Sequence, residues 1–191
     1  MKVDKAQIFA NARELFLTKG YKETNISDIT DKTGIAVGSF YKFYKSKDEI
    51  FLQVFLEEND RLTRQVVDSV NLDGDPVDVI KEFVSRVFSG YKGNLVLMEW
   101  DSRDIYSKLQ DYYAEGTSED DSNYNLFSDI IKKWQQEGKL RSDISSDMIL
   151  AFFNTFQYIE LHKDLIGTQY FPQLMDYLVE FIVEGLKTKK S

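Results

Sequence analysis

Apolar residues recur three and four positions apart through nearly the whole chain, and no stretch alternates apolar with polar residues as a half-buried strand would. That pattern confines the chain to an all-α fold. Ile8, Ala12, Leu15 and Phe16 mark a first helix over about residues 4–19, stopped by Gly20. Asn25, followed three positions on by Asp28, signals the N-cap of a second helix over 26–33, which ends at Gly34. A third short helix spans about 37–44. Ser46 and Glu49 form an S-x-x-E box ahead of a long helix that Ile50, Phe51, Val54, Phe55, Leu62 and Val66 carry toward Val70. Pro76 suits the first position of the next helix, over 76–91. Further helices are predicted at about 94–113, with an interruption near Trp100 to Ser102, and at 123–137, 146–165 and 171–187. The polar, acidic stretch EGTSEDDS at 115–122 reads as an exposed loop. About nine helices result, divided into an amino-terminal unit over 1–47 and a helical body over 48–191, with no internal repeat.

Composition narrows the function. With 191 residues and no cysteine, the chain has one or two domains and no disulfides, thiolate nucleophile or Cys-based metal site. His162 is the only histidine, and neither a His-based metal cluster nor a Ser-His-Asp array is convincing. Glu99 and Asp101, two apart on a helix, point away from each other and form no catalytic pair. No glycine-rich phosphate loop is present, so the expectation is a non-enzyme without cofactor or metal. No apolar run is long enough to cross a membrane and the start lacks a secretory signal, which points to a cytoplasmic protein. The net charge of −8 is unevenly placed: residues 1–48 carry +3 and the remainder −11. A small basic end on an acidic body suits a head that reads DNA and a body that DNA repels.

Residues 26–44 hold two short helices joined by a tight turn, ISDITDKT then GIAV then GSFYKFY, which is helix-turn-helix spacing. Ile29, Ile35, Phe40 and Tyr44 are placed to pack these helices onto the first, and Gly34 serves the turn, where a residue without Cβ takes positive φ. The opposite face offers Val37, Gly38, Ser39, Tyr41 and Lys42, then Lys45 and Lys47. Small residues at the helix start allow close approach, while hydroxyls and ammoniums reach toward phosphates.

The stretch GYKETNISDITDKTGIAVGSFYKFYKSKDEI resembles the amino-terminal domain of the TetR family of bacterial transcriptional regulators over about residues 6–55, and EGKLRSD at 137–143 resembles a turn of the same family. The resemblance implies that Thr24, Tyr41 and Lys47 touch DNA phosphates and that Val37, Gly38, Ser39 and Lys42 lie toward base edges. Ser27 and Lys45 are counted with them. One departure stands out: the family commonly caps its recognition helix with Ser where this chain has Ala36, and a missing side-chain cap costs ~1 kcal/mol.

One short reading helix covers too few base pairs, so a twofold homodimer on a palindromic operator of double-stranded DNA is expected. Its surface is predicted on the last two helices, at Phe152, Phe153, Phe156, Leu178 and Ile182, because apolar residues surround the segment from Met148 to Leu161. The body between is rich in aromatics, and the resemblance implies a pocket there for a small-molecule inducer, with Trp100, Tyr106, Tyr113, Phe127, Trp134 and Phe156 as candidate walls. The main expectation is a ligand-responsive repressor. The alternative is a protein-interaction factor on the same scaffold, with DNA binding secondary or absent.

Overall fold

The computed structural model describes residues 4–101, 105, 107–108, 122–171 and 173–188. Nine α-helices stand among them: α1 (Lys5–Lys19), α2 (Ile26–Thr33), α3 (Val37–Phe40), α4 (Lys47–Ser69), α5 (Pro76–Tyr91), α6 (Ser122–Gln136), α7 (Ser146–Leu161), α8 (Lys163–Ile166) and α9 (Gln173–Leu186). Two 3-10 turns, Leu97–Asp101 and Thr168–Tyr170, complete the regular structure, and the described residues contain no strand beyond an isolated bridge between Leu140 and Lys187. None of their helices is long and apolar enough to cross a membrane. Residues 102–104, 106 and 109–113 of the helix predicted at 94–113, and all but the last residue of the acidic loop, lie outside the described residues.

The chain divides into two compact units, Met1–Thr63 with Val87–Glu115, and Arg64–Arg86 with Gly116–Ser191. In the first, α1, α2 and α3 close over Ile8, Ala12, Phe16, Ile29, Phe40 and Tyr44, all buried. Ile50, Phe51, Val54 and Phe55 from α4 join that core, as do Val96, Leu97 and Ile105 from the later segment. Phe51 meets the ring of Phe16 edge-on at 5.0 Å.

A buried charge lies beside this core. Glu58 of α4 accepts from Arg13 of α1 at 2.6 Å, from Asn94 at 2.8 Å and from Arg61 one turn on. Asn94 in turn accepts the backbone N–H groups of Val96 and Leu97. Through these three partners Glu58 joins α1, α4 and the segment after α5 within one unit.

The second unit is built on Val77, Phe156, Met175, Val179 and Val183, with Phe153, Leu178 and Ile182 half-buried against them. Trp134 of α6 is buried, and its indole N–H donates to the carbonyl of Leu72 at 2.9 Å, holding the loop before α5. Helix α7 was expected to run to residue 165 and instead stops at Leu161, with His162 at φ −105°, ψ 19° before the single turn of α8. The His162 ring nitrogen Nδ1 lies 2.8 Å from the Tyr158 carbonyl, which also accepts the His162 N–H, so the side chain competes for the acceptor that would continue the helix.

Candidate nucleic-acid interface

The head is shaped by local signals before packing acts on it. Asp4 caps α1 by accepting the Gln7 N–H at 2.9 Å. Asn25 and Asp28 form a reciprocal capping box on α2, with the Asn25 N–H donating to Asp28 at 2.8 Å. Gly34 closes α2 in the left-handed region at φ 74°, ψ 35°, which turns the chain sharply enough for α3 to start three residues later.

Helix α3 is a single turn, shorter than the helix over 37–44 expected from the sequence. Ala36 supplies no side-chain cap, and beyond Phe40 the chain continues in turns that place Tyr44 in the core. The turn is anchored by Phe40, fully buried with its ring 5.7 Å from that of Tyr44. The opposite side faces out. Val37 is 46% exposed and Tyr41 52%, with Gly38, Lys42 and Lys45 also exposed and Ser39 half-buried. Ser27, in the first turn of α2, is exposed as well.

Two residues expected on phosphates are engaged inside the head. Thr24 is fully buried and its hydroxyl donates to the Gly20 carbonyl at 2.8 Å, so its side chain holds the turn between α1 and α2 and is not offered at the surface. Lys47 donates to the carbonyls of Tyr21 and Thr24 at 2.8 and 2.9 Å and lies 4.1 Å from the Tyr21 ring centroid. Its ammonium closes the same turn and remains half-buried at the head surface.

The neighbouring Asp48, which the sequence did not single out, accepts from the Tyr21 hydroxyl and pairs with Lys108 at 2.7 Å. Those two contacts, Lys108 first, hold its carboxyl below the ordinary range against the opposing effect of burial. Apart from the buried Thr24 and the internally bonded Lys47, the residues named from the sequence for DNA are exposed or half-buried on the head. The acidic member of the group is neutralised by its own partners.

The candidate ligand walls are less convergent. Tyr106 and Tyr113 lie outside the described residues, as does the side chain of Trp100. Phe127 is half-buried with its ring edge-on to Phe83 at 5.3 Å, whereas Trp134 and Phe156 are buried in the packing described above. A groove of about 490 Å³ in the same unit involves none of them; it is lined by Asp73, Asp75, Pro76, Gly138, Lys139 and Lys187 among others. Its charges are paired, Lys187 with Asp75 at 2.8 Å, Lys139 with Glu137 at 3.0 Å and Asp73 with Lys133 at 3.0 Å. No group of side chains able to hold a metal occurs among the described residues.

For the predicted dimer surface, Phe152 is exposed, Phe153, Leu178 and Ile182 are half-buried, and Phe156 is inside the core of its own unit. The largest exposed rings on these helices are others: Tyr158 on α7, and Tyr177 and Phe181, stacked 5.9 Å apart on α9.

A reading turn held out from a closed three-helix core defines a helix-turn-helix DNA-binding protein. Residues 8–54 match the profile of bacterial regulatory proteins, tetR family. Over those residues the chain carries the amino-terminal domain of the tetR family of bacterial regulatory proteins. The transcriptional repressor KstR2 of Mycobacterium tuberculosis is 20% identical over 160 residues, 82% of this chain and 79% of the relative. The fatty acid metabolism regulator protein of Bacillus subtilis is 24% identical over 88 residues, 46% of this chain and 45% of the relative. The same fold is seen in Thermus thermophilus FadR in complex with lauroyl-CoA, with a TM-score of 0.64 at 19% identity, covering 98% of this chain and 97% of that one. Bacillus subtilis FadR in complex with stearoyl-CoA gives a TM-score of 0.58 at 17% identity, covering 96% of this chain and all of that one.

Proposed function

We propose that the protein is a repressor that binds a palindromic operator as a homodimer and leaves it when a small molecule binds the body. The observation that carries this reading is the recognition turn, where Val37, Gly38, Tyr41 and Lys42 are exposed while Phe40 locks the turn into the core. Hydroxyl and ammonium groups beside an apolar reading residue are what a major groove between two phosphate strands accommodates. The acidic body favours an orientation in which only the head meets DNA.

The second copy is assigned to α7 and α9. Tyr177 and Phe181 lie four apart on α9, 48% and 66% exposed, and Gly185 continues the same line with open space where a Cβ would be. An exposed apolar stripe of this kind on a chain with net charge −8 calls for a cover, and an isologous contact supplies it twice over.

The inducer class follows from relatives of low identity. Because the Thermus and Bacillus FadR structures hold lauroyl-CoA and stearoyl-CoA, a long-chain acyl-CoA is the first class to test here. Within the second unit, Phe127, Trp134 and Phe156 remain the proposed lining. Whatever its chemistry, the inducer acts only by binding more tightly to the state that does not fit the operator.

The test is selection of duplexes from a random pool by the full-length protein, followed by titration of the bound duplex with lauroyl-CoA. An enriched palindrome and its release by the thioester are expected. A pool that shows no enrichment, with weak binding even at low salt, contradicts the reading.

A further inference from the structure

We propose that Gly38 is present to let the recognition turn come against the base-pair edges, and that Val37 thereby meets a thymine methyl group, so that the two residues set a T·A preference at one position of each half-site. This rests on the reading of residues 37–42 as the DNA-reading turn.

Gly38 is the informative residue because the protein alone has no use for it. The described glycines that take positive φ are Gly20, Gly34, Gly138 and Gly167, and Gly38 is not among them. A Cβ built on Gly38 meets nothing within 4 Å. The contrast with Gly90 is direct, since a Cβ there comes to 2.4 Å from Leu62 and packing forbids it. Glycine inside a helix weakens it relative to alanine, and here the helix has four residues and no side-chain cap. Neither backbone geometry nor internal packing explains the residue; Gly93 and Gly185 share that freedom, but only Gly38 lies in the recognition turn, where the open space faces the proposed DNA.

Val37 points to what that molecule presents. It is the first residue of α3, is 46% exposed, and stays outside the core cluster that takes in Ile35 and Phe40 on either side. Its side chain can neither donate nor accept a hydrogen bond. Among base edges in the major groove, only thymine offers an apolar group, the C5 methyl. The other exposed side chains of the turn, Tyr41 and Lys42, carry polar atoms suited to phosphates or polar base edges, which leaves the apolar contact to Val37.

The experiment uses the full-length protein and a duplex that it selects from a random pool. Each thymine of the half-sites is replaced in turn by uracil, which removes only the methyl group. At one position per half-site the replacement is expected to weaken the unmodified protein about fivefold, the low end of base discrimination, and to leave Val37→Ala unaffected. Gly38→Ala is expected to raise the melting temperature by about 2 °C while weakening binding to the selected duplex about tenfold, as for a methyl forced into a filled interface. Gain of stability with loss of binding is a result that a merely structural glycine does not give. Equal binding of uracil and thymine at every position, a half-site without a required thymine, a Gly38→Ala variant that binds as tightly as the parent, or one that melts lower, overturns the proposal and leaves the DNA-reading function standing. If the unmodified protein selects no sequence at all, the function itself fails and the proposal with it.

Discussion

Glu58 concentrates the energetics of the first unit in one side chain. It is 1% exposed yet meets two guanidiniums, which are 26% and 49% exposed at Arg13 and Arg61, and the Asn94 amide. Removing one member of a buried ion pair costs several kcal/mol when the survivor stays buried, but here both arginines reach water and the loss is discounted. Glu58→Gln is expected to lower stability by about 2 kcal/mol, measured by denaturant unfolding. An unchanged midpoint means that the carboxylate charge contributes nothing. The signal for this cluster was present in the sequence, since position 58 falls in the apolar stripe of Phe51, Val54, Phe55 and Leu62. Periodicity shows an acid on a buried face; it does not show which arginine from another helix meets it.

Two tyrosines are expected to contribute to the alkaline limit. Burial, assisted by the charge of Glu49, pushes the Tyr44 hydroxyl up to about 12, and burial does the same for Tyr91. Because the folded value lies above the ordinary 10.0, their contribution is complete below pH 10 and is lost as pH rises through about 12. Tyr44→Phe is expected to flatten the fall in unfolding free energy across that window. A variant whose alkaline limb is unchanged shows that another group controls it.

At the level of elements, the boundaries legible in the sequence are those set by short-range chemistry. The Asn25 and Asp28 box, the left-handed Gly34 and the start of α5 at Pro76 stand where their residues predict, because each is decided within a few positions. The recognition helix was overestimated because Phe40, Phe43 and Tyr44 keep an apolar rhythm after the backbone has left the helix. Apolar spacing records which residues are buried, and a turn can bury them as well as a helix does. Ala36→Ser is expected to supply the missing cap on α3 and stabilise the protein by about 1 kcal/mol, read as a rise in melting temperature. No rise means that the serine hydroxyl does not reach the N–H groups of this short turn. Thr24 was misjudged for a related reason, since a threonine near DNA-reading residues looks available until its hydrogen bond to Gly20 is seen.

For the molecule as a whole, the uneven charge and the exposed face of α9 lead to separate expectations. Phe181, 66% exposed, makes little contact within its own subunit, so Phe181→Lys is expected to give a monomer by sedimentation with its helical content intact. Lys45, exposed beside the recognition turn, is expected to contact a phosphate in each subunit. In a dimer Lys45→Ala then lowers the salt dependence of operator binding by about 2 in the log–log slope, one per subunit. An unchanged slope places Lys45 in solvent. Lys47→Ala carries an added effect, because the ammonium also closes the turn between α1 and α2, so its binding loss comes with a lower melting temperature.

Two heads are expected to engage one operator, and sedimentation of the full-length protein with a short selected duplex tests that directly. One complex containing twice the 22.3 kDa chain per palindromic duplex is expected, with loss of that species when either half-site is scrambled. A complex of one chain per duplex, or two chains retained on a duplex with a scrambled half-site, contradicts it.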